Sequence, residues 1–571
     1  MRVKLAKTAG FCWGVERALD IALDTANEAT GPVFTHGPLI HNPQTVDLLK
    51  EKNVHVSDVN GTPASGGLLV IRAHGISPQV RERLRGSGAA IRDATCPLVA
   101  KVHGIIRKHS RQGAFTVIIG ERGHPEVEGH MGYAEAGSRL VTGLEDVEKL
   151  PPFDGGVVVV AQTTINMGEW GHVVDALQAK YPQAQMFNTI CDATEVRQEE
   201  VRKLAPGVDL MVVVGGRNSG NTNRLAEVAR EAGAEAILIE TEREIDPAFL
   251  QKFGRIGVTA GASTPDWMIR RVVNRIEAIP DPRAGARGWL FQGLKTLSRA
   301  NVLLMLTAAL GSVAAQALGG YPRSGTLVAV AALYIFCLHT LNRCASYEAD
   351  RYNEPNRALF YERHRGALVA ASAAAGLGAL ALGAWVSPAA AVTLAAGLVL
   401  GVFFSLRLEP RALGVGRVLN FPASKALVVT AGWTVTLALL PAVAFPDRAG
   451  PAGWVAALFV FGLVLFRAGL IELRDVQGDR IVGKRTLPIV LGKEQTEAIL
   501  GALLAALAAV LWASAVQGMA AAPAAWAMIL PVAYSGLSMW MFKRRILGHG
   551  GLTEAAVDLH LILAGLLALS A

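Results

Sequence analysis

Two patterns of apolar residues divide this chain. Up to about residue 280 the apolar residues fall in short runs: Leu68–Ile71, Phe115–Ile119, Val157–Ala161, Leu210–Val214 and Ile256–Thr259. Runs of four or five residues, separated by helix-length segments of mixed polarity, predict buried parallel strands and an α/β domain. From about residue 300 the pattern changes to long stretches of Ala, Leu, Val and Gly. Nine windows of about 20 residues, the length that crosses a bilayer core, centre near 301–320, 325–341, 366–386, 388–406, 424–445, 452–472, 496–517, 522–542 and 554–570. They predict an all-α polytopic membrane domain of about nine transmembrane helices.

Each short run ends in polar or Gly-rich residues: Arg72-Ala-His74-Gly, Gly120-Glu-Arg-Gly-His124-Pro-Glu126, Gln162-Thr163-Thr164, Gly215-Gly-Arg-Asn-Ser219-Gly220-Asn221 and Ala260-Gly-Ala-Ser263. Ligands of α/β proteins bind at the carboxyl ends of parallel strands. Taken singly, each loop reads as a strand end followed by a helix cap. Together the five point to one site rich in hydrogen-bond donors, suited to a phosphate or diphosphate.

The domain boundaries expected from these patterns are 1–280 for the α/β part, 281–299 for a linker, and 300–571 for the membrane part. The linker opens with Pro, Gly and Arg, and its end, Trp289–Arg299, is expected to lie along lipid headgroups. Between the nine windows, seventeen Lys and Arg fall on one side and only Arg323 and Arg448 on the other. The positive-inside rule places the seventeen in the cytoplasm. The expectation is an integral protein of a bacterial inner membrane with residues 1–280 in the cytoplasm. The first ten residues lack the apolar core of a signal peptide. The net charge of +8 then has its source in membrane-flanking loops, and no nucleic-acid function is expected.

Five cysteines without close pairs in the first half do not make a disulfide framework. Cys12, Cys96 and Cys191 lie 84 and 95 residues apart, a spacing that by itself indicates neither zinc nor a ferredoxin-type cluster. Three unrelated buried thiols would be the plainer reading. Their surroundings differ from that: each sits among Gly, Pro, Asp or Thr, and Asp-Ala-Thr occurs just before Cys96 and just after Cys191. This suggests related units that each contribute one ligand. In the membrane half, Asp475 and Asp479 are four apart, on one face of a helix end. Such a pair would hold Mg²⁺ against diphosphate oxygens, or would merely offset basic anchors in a solvated loop.

Eight motifs in order carry a resemblance: Gly10-Phe-Cys12-x-Gly-Val, His41-Asn-Pro, Arg72-Ala-His74-Gly, Asp93-Ala-Thr-Cys96-Pro, Gly123-His124-Pro-Glu126, Gln162-Thr163-Thr164, Cys191-Asp-Ala-Thr and Asn218-Ser219-x-Asn221. Over residues 1 to about 278 the chain resembles the IspH or LytB family of 4-hydroxy-3-methylbut-2-enyl diphosphate reductases. The resemblance implies a three-lobed α/β fold and a [4Fe-4S] cluster held by Cys12, Cys96 and Cys191, three ligands for four irons. It implies Glu126 as the proton source, with Thr163 placing the substrate hydroxyl and relaying the proton. His41, His74, Ser219, Gly220, Asn221 and Ser263 would hold the diphosphate, with His124 beside it and the transferred proton. Gly220 stands where the family usually has a second serine. The electron donor would be a protein such as ferredoxin or flavodoxin.

Asp475-Val-Gln-Gly-Asp479-Arg-Ile-Val-Gly-Lys-Arg-Thr-Leu-Pro488 resembles the second aspartate motif of the UbiA superfamily of intramembrane prenyltransferases. That resemblance implies Mg²⁺ and a prenyl diphosphate bound by Asn342, Asp350, Asp475 and Asp479, with prenyl transfer to a lipophilic acceptor. Ser346 occupies the place of one aspartate of the family's first motif. A domain lacking that carboxylate would serve alternatively as a catalytically silent membrane anchor or lipid-binding module.

Overall fold

The computed structural model describes residues 2–40, 42–57, 67–153, 155–165, 167–217, 219–280, 285–345, 347–406, 424–546 and 551–570. His41 and Ser346 lie outside the described residues. The chain divides into two compact units, Met1–Pro280 and Asp281–Ala571.

The first unit contains twelve strands: β1 (Arg2–Leu5), β2 (Val33–His36), β3 (Val54–Ser57), β4 (Leu68–Ile71), β5 (Ala90–Asp93), β6 (Phe115–Ile119), β7 (Ser138–Val141), β8 (Val157–Ala161), β9 (Gln185–Phe187), β10 (Leu210–Val214), β11 (Glu235–Ile239) and β12 (Arg255–Ala260). They form three parallel sheets of four strands, β3-β2-β4-β5, β7-β6-β8-β9 and β11-β10-β12-β1. The three share one order. In each, the first strand of the set lies between the second and the third, and the fourth is an edge. The last sheet keeps this order only because the N-terminal strand β1 serves as its fourth member, so the chain closes on itself. Strands β8 and β10 are each buried along their whole length, as expected where helices cover both faces.

The second unit is helical. Seven described helices are long and apolar enough to cross a membrane, among them Gly325–Ala345, Pro355–Val386, Pro451–Ile481 and Thr553–Ser570. An eighth span arises if Gln292–Arg299 and Val302–Leu318, bent by 73° at their junction, count as one. The fourth window yields the shorter apolar helix Pro388–Phe403. All nine windows are thus helical, and seven reach full spanning length unbroken. The bend has a local cause. Asn301 adopts φ +60° at the N-cap of Val302–Leu318, a conformation that Asn tolerates better than most residues. Its buried side chain donates to Thr340 and Tyr361 and accepts from Arg343 at 2.6 Å.

Candidate active site

The three cysteines occupy equivalent places. Each follows the fourth, edge strand of its sheet: Cys12 after β1, Cys96 after β5, Cys191 after β9. Each is the N-cap of the next helix, Trp13–Glu28, Pro97–Ser110 and Asp192–Leu204 respectively. Each backbone N–H donates to a carbonyl two residues beyond the third strand of its own sheet: Cys12 to Ala262, Cys96 to Ala73 and Cys191 to Thr163, at 3.0, 2.9 and 2.8 Å. The sheets therefore present one thiol apiece by the same device. None is in a disulfide and all are partly exposed.

The lobes are laced together beside these thiols. Arg17, on the helix of Cys12, donates to the Thr95 carbonyl at 3.1 Å. Arg197, on the helix of Cys191, donates to the Gly10 carbonyl at 2.8 Å. Glu200 accepts from both Lys7 and Thr8 amides at 2.7 Å. A Cβ on Gly14 would stand 2.5 Å from Cys96 Sγ, so only glycine lets the first helix and the second cysteine approach so closely. Burial raises the Cys96 thiol, and the charge of Cys12 raises it further. Burial likewise raises Cys191, which also feels Cys12 and Cys96. Amides of the first helical turn act oppositely, Leu98 and Val99 on Cys96 and Ala193 on Cys191, as helix N-termini do for thiolates.

Glu126 is 2% exposed. Its Oε1 accepts from the Thr163 amide at 2.7 Å and its Oε2 from Thr163 Oγ1 at 3.0 Å. His130, one turn on, brings Nε2 to 3.3 Å of Oε1. Burial pushes the Glu126 carboxyl up, but His130, the Thr163 amide and His74 outweigh it and hold it at about 2. Thr163 thus binds the carboxylate with its amide and hydroxyl while its carbonyl holds Cys191. His124 caps the helix Pro125–Tyr133, accepting from the Glu126 amide at 3.2 Å, and meets His74 edge-on with ring centres 5.5 Å apart. Ser219 caps Gly220–Glu231. Both polar atoms of the Asn221 side chain are buried without a hydrogen-bond partner among the described residues. His74, Thr164 and Ser263 stand at one equivalent place, three residues past the third strands β4, β8 and β12.

In the second unit, Asn342, Asp350, Asp475 and Asp479 all line one cavity of about 150 Å³, together with His339, Asn353, Arg343, Arg357, Arg467, Lys425, Lys484 and Glu554. Each aspartate faces a base. Arg357 makes two bonds of 2.8 Å to Asp350, Arg474 two of 2.8 Å to Asp475, and Lys484 one of 2.8 Å to Asp479. Buried Glu554 accepts from three arginines on three helices, Arg343 at 2.8 Å, Arg474 at 3.0 Å and Arg357.

Comparison with known proteins follows the division into units. Residues 3–277 match the family model described as LytB protein. The 4-hydroxy-3-methylbut-2-enyl diphosphate reductase of Aquifex aeolicus is 43% identical over 278 residues, covering 48% of this chain and 96% of that protein. The chain belongs to the LytB family. A reductase of the same description from Opitutus terrae, 42% identical over 290 residues, covers 49% of this chain and is itself covered completely. Beyond the LytB half, residues 304–549 match the UbiA prenyltransferase family model. A solved UbiA homolog from Archaeoglobus fulgidus, bound to DMAPP and Mg²⁺, is 14% identical over 48% of this chain and 98% of its own, with a TM-score of 0.37.

Among the described residues, no three His, Cys, Asp or Glu side chains converge as ligands of a single ion would. A [4Fe-4S] cluster does not require that, since each thiolate takes a different iron. The donors of the LytB half fit it: three unpaired thiols, one per sheet, each under a helix N-terminus. The oxygen donors of the second unit fit Mg²⁺ in kind, and Mg²⁺ commonly takes one or two protein carboxylates and completes its shell with water and phosphate oxygens.

Several residues of these sites went unread in the sequence. His130 had a usable signal, since Glu126 and His130 are four apart and share a helix face. So did Glu554 and Asp558, because an acid inside an apolar window is functional by default. Gly14 had none, as its role depends on a contact with a residue 82 positions away.

Proposed function

We propose that this chain joins two isoprenoid activities. Residues 1–280 reduce 4-hydroxy-3-methylbut-2-enyl diphosphate to isopentenyl and dimethylallyl diphosphate, and the membrane half transfers a prenyl group from a prenyl diphosphate to a lipophilic acceptor. The observation that carries the first claim is the equivalent placement of Cys12, Cys96 and Cys191, one per sheet, beside the Glu126–Thr163 pair.

The reaction replaces a hydroxyl by hydrogen, consuming two electrons and two protons and releasing water. A [4Fe-4S] cluster held by the three cysteines would supply electrons one at a time, drawn from a donor such as ferredoxin or flavodoxin. The residues do the rest. His74, Ser219, Asn221, Ser263 and the Gly220 amide hold the diphosphate, and the unsatisfied amide group of Asn221 is the observation that favours a ligand there. His124 bridges this cradle and the proton-transfer region through its contact with His74. Glu126 gives the proton with which the hydroxyl leaves, and Thr163 fixes both carboxyl oxygens so that the acid points one way.

In the membrane half, Asn342, Asp350, Asp475 and Asp479 would take Mg²⁺ and the diphosphate, and Arg343, Arg357 and Lys484 would take remaining phosphate charge. The prenyl chain would then ionise and meet its acceptor in the apolar interior. The second reading, a silent anchor, is favoured by the ion pairs that already occupy all three aspartates. In either case the LytB half sits on the cytoplasmic side, with the excess Lys and Arg. Anaerobic incubation of the purified full chain with hydroxymethylbutenyl diphosphate and a reductant tests the reductase. Adding Mg²⁺, a long prenyl diphosphate and a lipid extract tests transfer: a prenylated product excludes the anchor, and none with an active reductase supports it.

A further inference from the structure

The reductase reading leaves a difficulty at Glu126. The reaction needs two protons, Glu126 is buried at 2% exposure, and its carboxyl is held strongly ionised. A proton given up there has to be replaced from a neighbour. The neighbour is His130, wholly buried, with Nε2 3.3 Å from Glu126 Oε1. That distance suits an ion pair, and among the described residues neither ring nitrogen of His130 has a hydrogen-bond partner. A second buried histidine, His103, packs its ring edge-to-face on His130 at 5.1 Å and stacks on Tyr133 at 4.2 Å. It comes from the helix that Cys96 begins. Its Nε2 also lacks a partner among the described residues, and a Cβ on Gly75 would approach its Cε1 at 2.7 Å and one on Gly129 its Nε2 at 3.2 Å. Two buried histidines with unpartnered nitrogens beside an acid cost stability.

We propose that Glu126 and His130 form a two-proton store, in which His130 Nε2 passes its proton to Glu126 Oε1 within the turnover and His103 holds the His130 ring in place. Glu126, ionised in the free enzyme, takes up the first proton as the substrate enters and loses it with the hydroxyl, forming water. The N–H bond of His130 then breaks as the O–H bond of Glu126 reforms, and Glu126 delivers this second proton to the allylic carbon. His130 is reloaded from solvent after product departs, and Glu126 returns to its ionised form. His103 is neutral throughout, since burial and His130 lower it to about 3. His130 is a positioning and relay residue that never touches substrate. The other charged or titratable groups acting on or felt by these residues are Arg81 and Asp93 at His103, His74 and His124 at Glu126, and Cys96, which feels Glu126.

The test uses the full chain, purified anaerobically, with rates expressed per [4Fe-4S] cluster. His130→Gln keeps a polar group of similar reach but cannot relay. It should lower kcat at least tenfold, change KM less than twofold and leave the electron paramagnetic resonance of the reduced cluster unaltered. His103→Phe keeps the stacking surface and should cost kcat several-fold less. For the wild type, a proton inventory in mixed light and heavy water should be curved, as two transferred protons require. An unchanged kcat per cluster in His130→Gln, or a linear inventory, overturns the proposal. A wild type that holds iron and consumes no substrate would instead remove the reductase reading itself.

Discussion

Gly14→Ala isolates the contact that brings two of the three thiols together. The added methyl would lie 2.5 Å from Cys96 Sγ and 3.2 Å from Cys96 Cβ, whereas ordinary contacts of this kind lie at roughly 3.5–4 Å. The sulfur must therefore retreat by roughly 1 Å. The Cys96 backbone cannot move with it, because its N–H is tied to Ala73 and its carbonyl begins the helix Pro97–Ser110. Two energies oppose each other in the fold. Ala gains about 1 kcal/mol over Gly inside a helix, and overpacking costs about 1–3 kcal/mol, so overall stability should change by no more than about 2 kcal/mol. A cluster is far less tolerant, since metal–ligand distances must be kept within about 0.2 Å. The expected result is a protein of near-normal melting temperature, several-fold depleted in iron and sulfide, with reductase activity lost at least in proportion. Gly104→Ala, on the Cys96 helix and with nothing within 4 Å of its Cβ, is the matched control and should keep both. A Gly14→Ala protein with full iron and wild-type rate would refute the reasoning.

Thr163→Val removes one charge-assisted hydrogen bond to Glu126 but keeps the amide bond; at about 1.5–3 kcal/mol it should lower kcat roughly 10- to 100-fold with iron retained, as steady-state rates per cluster would show. Glu126, ordinarily near 4.5, is held at about 2 by His130, Thr163 and His74 against the effect of burial. A lowered folded-state value stabilises the protein above pH 4.5 and loses that contribution as the pH falls through 2; the melting temperature should drop across that window, and Glu126→Gln should flatten the drop. Among the described residues a Cβ at Gly220 would meet only Glu121 Oε1 at 4.0 Å, so Gly220→Ser should fold normally and lower KM for the diphosphate substrate, with kcat unchanged. Glu554→Ala would leave Arg343, Arg357 and Arg474 facing one another, and removing one partner of a buried ion pair costs about 3–5 kcal/mol; thermal unfolding in detergent should show the loss in the membrane half alone. Asp475→Asn or chelation of Mg²⁺ should abolish prenyl transfer and spare reductase activity.

What could be read from the sequence follows burial. The five runs taken as strands are β4, β6, β8, β10 and β12, five of the six inner strands. The six edge strands β1, β3, β5, β7, β9 and β11 carry no such apolar run, because an edge is half wet: β1 alternates exposed and intermediate residues, and three of the four residues of β5 are exposed. The missed inner strand, β2, carries Thr35 and His36 among only four residues. The cysteines follow those unread edge strands, which is why spacing could not join them and only the repeated Asp-Ala-Thr hinted at equivalent units. The loops that line the site were readable because they follow buried strands. In the membrane half, apolar length marked all nine helices, while the bend at Asn301 and the arginine cluster on Glu554 depend on contacts between distant helices that periodicity does not carry.

The central claim is that Cys12, Cys96 and Cys191 together hold a cluster through which a hydroxyl is reductively removed. Its most direct measurement is the iron and acid-labile sulfide content of the anaerobically purified full chain, with turnover of hydroxymethylbutenyl diphosphate followed on the same sample. About four iron and four sulfide per chain, lost together with turnover when any one of the three cysteines becomes serine, is the predicted result. A folded chain that binds no iron, or one that keeps its iron and rate with all three cysteines replaced, would contradict it.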